Sequence, residues 1–347
     1  MNYDLVIKDL DNWTENEEFL RDYYMAVADH QSVEKLILNT KADPLIITQA
    51  LNPETIDTVL TEERFFSPGQ NAMLMKHPRY NPFFTHRHTF FEMNYVLKGQ
   101  CKEITDDRIV ELKEGDLCLL APNVTHGIKV YDDSIILNIL IRYSTFLDIF
   151  LNTIRDKSQL SMFFTGNLYE KRKINYLLFH TKGDDVIRNY ILDMYIEQLD
   201  ADEYSDRIIC SLMTIFFTQL TRRHGKNIES PDFHENPVEK SSEILNYIMN
   251  NFSTVTLREL ADRFHYSVPY CSRMVKTISN MSFSELLTSI RLQQAENLLS
   301  HTLLSVSEIS EKIGYKNPET FIRAFKKNYL LSPGQYRRNT ISENKTN

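Results

Sequence analysis

The chain has 347 residues, 42% of them apolar, enough for two or three domains with cores of their own. It holds no run of eighteen apolar residues, and its start lacks a basic segment followed by an apolar one. Both observations argue against a spanning helix or a secretory signal and for a cytoplasmic location. The net charge of −8 is unevenly spread: from Val238 onward 14 Lys and Arg face 10 Asp and Glu, and the preceding residues carry 25 against 37. A basic tail on an acidic body fits a nucleic-acid-contacting module joined to one that stays off nucleic acid.

Residues 1–60 are acidic and mostly helical in pattern, readable as an extra lobe or an arm. Residues 61–145 change texture to short apolar runs broken by Pro, Gly and Asp. Phe90–Leu97, Asp107–Leu112, Leu117–Ala121 and Ile135–Ile141 are expected strands of an antiparallel barrel. Within this stretch stand His86, His88 and Glu92, and residues two and four apart on a strand share a face. His126 arrives from a second segment. Imidazoles with a carboxylate suit Zn, Fe, Mn or Ni. The spacing resembles the two cupin motifs, with Tyr80, Val124 and Val130 standing where that pattern has other residues. Three readings of the four residues stay open: a divalent metal site, polar walls of a pocket for a small organic effector, or a hydrogen-bonded core without ligand. The aromatic residues nearby read as core more readily than as a sugar platform. Cys101, Cys118, Cys210 and Cys271 form no CxxC pair and are expected to be reduced thiols.

Residues 146–225 carry helical signals; Ile208–Leu220 is nearly continuous in apolar character and suits a buried or dimer-forming helix. Lys226–Lys240 has two prolines and no apolar period, and residues 226–237 are the expected linker. From 238 to 340 two helix-turn-helix patterns follow in tandem, Leu257–Phe264 with Val268–Ile278 and Val306–Ile313 with Pro318–Tyr329. Thr256 with Glu259 and Ser305 with Glu308 are predicted capping boxes. Ser267 and Asn317 should cap the second helix of each pattern, and Pro269 and Pro318 sit where a missing N–H does no harm. Pro269, Ser272, Arg273 and Lys276 are left facing outward in the first unit, and Glu319, Thr320, Ile322, Arg323, Lys326 and Lys327 in the second. A guanidinium at Arg273 or Arg323 can pair bidentately with guanine, whereas the lysines suit phosphates. The long helix Phe283–Ser300 joins the two units and sets their separation.

The residues Ser267, Ser272-Arg273, Ser282-Phe283, Arg291-Leu292, Ala295, Leu298-Leu299, Ile309, Ile313-Gly314-Tyr315, Phe321, Arg323, Phe325-Lys326-Lys327, Ser332-Pro333 and Tyr336-Arg337 carry a resemblance. This stretch resembles the DNA-binding domain of the AraC/XylS family of bacterial transcription regulators. Pro269 and Pro318 depart from the polar residues that members often place there. The resemblance implies an α+β multidomain chain, with an N-terminal cupin-like antiparallel β-barrel and flanking helices, and a C-terminal all-α domain with two helix-turn-helix units. It implies double-stranded DNA, a small-molecule effector (a sugar by precedent) and RNA polymerase as partners, homodimerisation, no membrane, and activation more than repression. A cupin enzyme fused to a DNA-binding domain is the alternative of a different class.

Overall fold

The computed structural model describes residues 3–53, 58–67, 69–105, 108–143, 175–230, 238–279 and 281–343, with Thr145, Leu160, Phe163 and Asn167 besides. The chain divides into two compact units, one built from residues 1–66, 71–143 and 175–230, the other containing the helices from Val238 onward.

The first unit opens with helices α1 (Tyr3–Asp11), α2 (Glu15–Ala28), α3 (Glu34–Asn39) and α4 (Pro44–Leu51). Strand β1 (Val59–Leu60), helix α5 (Glu62–Phe65), and strands β2 (Ala72–Lys76), β3 (Arg87–His88), β4 (Phe91–Lys98), β5 (Gln100–Thr105), β6 (Arg108–Lys113), β7 (Asp116–Leu120), β8 (His126–Lys129), β9 (Ile135–Ile141) and β10 (Tyr176–His180) follow. Helices α6 (Asp185–Asp200) and α7 (Ser205–His224) and strand β11 (Ile228–Glu229) complete it. Six strands pair in the order β11-β10-β7-β4-β9-β2, and three more in the order β6-β5-β8. The central strands β7 and β9 are buried throughout, as their unbroken apolar runs require. On β4, alternation sends Glu92 and Asn94 to one face and Met93 and Tyr95 to the other. The first face meets the small sheet, where Asn94 donates to Glu103 of β5 at 2.9 Å. The edge strand β2 is protected: Leu74 uses its N–H and carbonyl on the Gln198 side-chain amide of α6, at 2.7 and 2.6 Å. That blocks further strand addition at this edge.

The structure corrects several expectations. Residues 1–60 are not a detached arm. Arg79, fully buried, donates to the Asp11 carbonyl and the Ser134 carbonyl, each at 3.2 Å, and its backbone N–H reaches Glu17. Lys98 pairs with Asp11 at 2.9 Å and Lys76 with Glu17 at 2.8 Å, so charges of the sheet hold the acidic helices. The helical stretch expected over 146–225 contains a strand, β10, and residues 146–159, 161–162, 164–166 and 168–174 lie outside those described. Ile228 and Glu229, inside the expected linker, pair with Phe179 and Leu178, and 231–237 lie outside the described residues. Among the described residues the ladders form sheets of six, three and two strands, and no closed barrel is among them. No helix among them is long and apolar enough to cross a membrane.

The second unit comprises α8 (Val238–Asn250), α9 (Leu257–Phe264), α10 (Val268–Ser279), α11 (Phe283–His301), α12 (Val306–Lys312), α13 (Pro318–Tyr329) and α14 (Pro333–Glu343). Leu292, Ala295 and Leu299 on α11, with Ile309, Ile313, Phe321 and Phe325, form an apolar core behind the second helix pair. Ser282 and Ser305 make complete capping boxes with Glu285 and Glu308. The box expected at Thr256 is half made: its hydroxyl accepts the Glu259 N–H, but the Glu259 carboxylate takes the Tyr247 hydroxyl at 2.7 Å instead. Gly314 adopts φ +86, and a Cβ there would overlap the Ser253 carbonyl oxygen, so only glycine serves. Arg291 donates to the carbonyls of Phe252 and Ser253 at 2.9 and 3.0 Å, tying α11 to the turn before α9.

Candidate functional site

Two surfaces in the described residues concentrate chemistry. On the second unit, α10 and α13 are the second helices of the two helix-turn-helix pairs. Each starts with a proline in its first turn, and Cys271 with Val275 and Phe321 with Phe325 anchor the inner faces. Two residues beyond each first anchor stand Arg273 and Arg323, both exposed, at the same position in their respective helices. Pro269, Lys276, Glu319, Thr320, Lys326 and Lys327 are exposed as well, and Ser272 is half-buried. Ile322 differs: it is half-buried and packs against the apolar core, leaving little of it outward. Arg291 and Tyr336 are spent internally, Tyr336 donating to Glu296 at 2.6 Å. The helix α11 that joins the pairs has 19 residues, a length of about 28 Å.

The second surface is interior. His86, His88, Glu92 and His126 converge between the sheets. They do not lie on one strand: the chain bends at Thr89–Phe90, and β4 starts at Phe91. His86 and His126 are locked by a pair of backbone hydrogen bonds at 2.8 and 2.9 Å. His88 Nε2 lies 3.5 Å and His126 Nε2 3.7 Å from Glu92 Oε2, with His88 and Glu92 almost fully buried. Potential ligand atoms of His86, Glu92 and His126 all lie within 4.8 Å of one another. Asn138 donates to the other Glu92 oxygen at 2.7 Å, leaving Oε2 to the histidines. Around them His86 Nδ1, His88 Nε2, His126 Nε2, Asn94 Oδ1, Glu103 Oε1 and Asn138 Oδ1 are buried without a hydrogen-bond partner. Each such group costs about 1–3 kcal/mol unless something satisfies it.

The electrostatics of this interior are polarised. Burial drives the His88 imidazole down to about 3 and, with the neighbouring His126, holds His86 down to about 4. For His126 burial also opposes the charged ring, yet the Glu92 and Glu103 carboxylates carry it up to about 9. Burial likewise opposes ionised Glu92, and His126 and the other rings outweigh it, keeping that carboxyl well below the ordinary range. Glu103 follows burial and is pushed up to about 7. His77, held down to about 4 by burial, belongs to the same electrostatic neighbourhood. Sequence reasoning passed over Asn94, Glu103 and Asn138. The available signal was a lone polar residue inside an apolar run, as in the Ile135–Ile141 strand.

An antiparallel sheet unit with a polar interior, followed by tandem helix-turn-helix pairs with matched outward arginines, defines a DNA-binding regulator with a sensing domain. Comparisons with known proteins point the same way. An AraC-like ligand-binding domain matches residues 75–162, and a helix-turn-helix domain matches 260–339. The regulator YtdP of Bacillus subtilis (strain 168) is 42% identical over 28% of this chain, a match that spans 13% of YtdP. The activator RhaR of Enterobacter sp. (strain 638) is 22% identical over 81% of this chain and 97% of its own length. The raffinose operon regulator RafR of Pediococcus pentosaceus is 31% identical, covering 39% of this chain and 48% of RafR. These matches support an AraC-type regulator with an N-terminal sensing domain ahead of a helix-turn-helix domain.

Proposed function

We propose that this chain is a cytoplasmic transcription activator that reads two successive major grooves of its operator through Arg273 and Arg323. The matched exposure of these arginines on helices joined by one continuous 19-residue helix carries the reading. Two grooves facing one side of DNA repeat at about 34 Å, a separation of the same order as the connecting helix. Lys276, Lys326 and Lys327 would bind phosphates, and Pro269, Ser272, Glu319 and Thr320 would border the base edges, with Ile322 contributing its outer atoms only. RNA polymerase is the partner that activation requires.

The sheet unit is the sensor, its unpaired interior groups facing a small-molecule effector. A sugar is the effector class we favour, since relatives include a raffinose operon regulator and a lactose operon activator by name. Homodimerisation falls to α7, where Tyr204, Ile208 and Ile215 are exposed along one face while Ile209, Met213 and Phe216 fill the core. Effector binding would act by favouring one arrangement of the paired chains over another, through differential affinity for the two.

Selection of an operator from random DNA, followed by binding assays, tests this reading. Arg323→Ala should cost about 1–3 kcal/mol of specific affinity and relax one base position. Lys327→Ala should weaken all sequences alike and reduce the salt slope by about one. An unchanged footprint and base preference for Arg323→Ala would remove it from readout.

A further inference from the structure

We infer that Glu319 makes the two half-sites of the operator chemically unequal. Its carboxylate selects a cytosine, through that base's exocyclic amino group, one or two base pairs from the guanine taken by Arg323. The inference rests on the DNA-reading assignment of α10 and α13 and deepens it by naming a base.

Elsewhere in the helical unit an acidic residue near a helix start is used inside the protein. The Glu285 and Glu308 carboxylates, third in α11 and α12, each accept the backbone N–H of the capping serine at 2.7 Å. At α13 the pattern shifts by one residue. Asn317 is the cap, its side-chain oxygen accepts the Glu319 N–H at 2.8 Å, and Pro318 fills the position between. Glu319 thus stands second in the helix, and among the described residues its carboxylate enters no ion pair. It is exposed, as are Arg323, one turn further along the same face, and Lys326 and Lys327 beyond it.

The helix dipole favours a negative charge in this first turn, so the fold tolerates Glu319. What the charge does on DNA is decided by the groove. A carboxylate repels phosphates and offers only acceptors. In the major groove guanine presents acceptors, thymine an acceptor and a methyl group, and only cytosine and adenine carry an amino donor. Adenine sets its N7 acceptor beside that donor, an arrangement that suits an amide and opposes a carboxylate. Cytosine presents the donor without an acceptor of its own. Repulsion from the other bases therefore contributes as much to the choice as the bond to cytosine does. Glu319 and Arg323 are about 6 Å apart along the helix. At about 3.4 Å per base pair, that spacing puts their contacts one or two pairs apart.

The first unit lacks this device. Aligned on the buried pairs Cys271–Val275 and Phe321–Phe325, Arg273 matches Arg323, Lys276 matches Lys326, and Pro269 falls at the place of Glu319. Val268, Pro269 and Tyr270 are exposed at the start of α10 and carry no charge. Nothing there requires an amino group, so the cytosine requirement belongs to one half-site only.

The test selects random double-stranded DNA on the full-length chain, then measures binding to the selected operator and to copies with single base pairs changed. The expected operator holds a cytosine one or two base pairs from the guanine that Arg323→Ala no longer distinguishes. Exchanging that cytosine pair for any other should weaken the unaltered chain by about tenfold or more, and Glu319→Ala by less than about threefold. Glu319→Ala should also bind unrelated DNA at least as tightly as the unaltered chain, a gain that a merely structural role would not produce. Glu319→Gln, of nearly the same shape, should turn the preference toward adenine. Glu311→Ala, which removes an exposed acid of α12, should keep the cytosine preference. An operator without such a cytosine, a full cytosine preference in Glu319→Ala, or an equal loss in Glu311→Ala overturns the inference. If Arg323→Ala still loses its guanine in that case, the DNA-reading assignment stands and only the role of Glu319 falls. If neither variant alters base preference, or no sequence is selected, both fall.

Discussion

Asn94 on β4 and Phe321 on α13 are equally inaccessible, both 0% exposed, yet their surroundings are opposite. Asn94 donates to Glu103 and stands opposite Asn138, which donates to Glu92; around Phe321 lie Ile309, Ile313, Leu299 and Phe325. The helical unit keeps an apolar core and leaves Arg273, Lys276, Arg323, Lys326 and Lys327 exposed. The sheet unit turns its polar groups inward. The location of polar groups thus separates an outward-facing charged surface from an inward-facing polar interior. Natural interiors leave few buried polar atoms without a partner, and six gathered in one place need a functional account.

Three measurements would break or sharpen this contrast. The largest effect is expected from Phe321→Ala, which opens the apolar core and should cost about 3–5 kcal/mol. Denaturant unfolding followed by circular dichroism should show the helical unit lost first; a cost below about 1 kcal/mol would mean that core is not what holds it. Next comes the pH response of the sheet unit. Glu103 titrates near 4.5 when unfolded and is raised to about 7 when folded, because burial penalises its charge. Its contribution is therefore fully present below the unfolded value and is lost as pH rises from about 4.5 through 7, a decline of about 3 kcal/mol. His77, His86 and His88, held low in the fold, push stability the other way as pH rises toward 6.5. The informative quantity is thus the difference between the unaltered chain and Glu103→Gln, measured with chelator present. A pH-independent difference would place Glu103 in a wetter setting. A smaller effect is expected from Ser305→Ala, which removes a complete capping box and should cost about 1 kcal/mol. Glu259→Ala should cost less at the N-terminus of α9, because that carboxylate serves Tyr247 and not the cap.

The two units also differ in how far they can be read from sequence. Helical periodicity, paired caps and prolines in the first turn act locally, so α9 to α13 are legible to within a residue or two. His86, His88, Glu92 and His126 are legible as a candidate set from residue type and spacing, although the bend at Thr89–Phe90 and a second segment, not one strand, bring them together. Asn94, Glu103 and Asn138 are not, since their meaning depends on which strands face each other across the sheets. The strand β10 escaped for a similar reason: five residues with an apolar run gain their character from pairing with β7, more than fifty positions away in the chain. The role of Arg79 was equally hidden, because its partners lie on α1 and α2 and no local pattern links them. Where structure follows from neighbours in the chain it can be read; where it follows from neighbours in space it cannot.

Arg291 and Gly314 together seat the turn at Phe252–Ser253, one by gripping its carbonyls and the other by leaving room for them. The natural seam of the DNA-binding half therefore does not run between its two helix pairs. A hybrid regulator that takes its first pair from another protein should keep Phe252 and Ser253 with the second, or change Arg291 and Gly314 to match. Cut at the loop after α10, it would inherit two intact readers with no common footing.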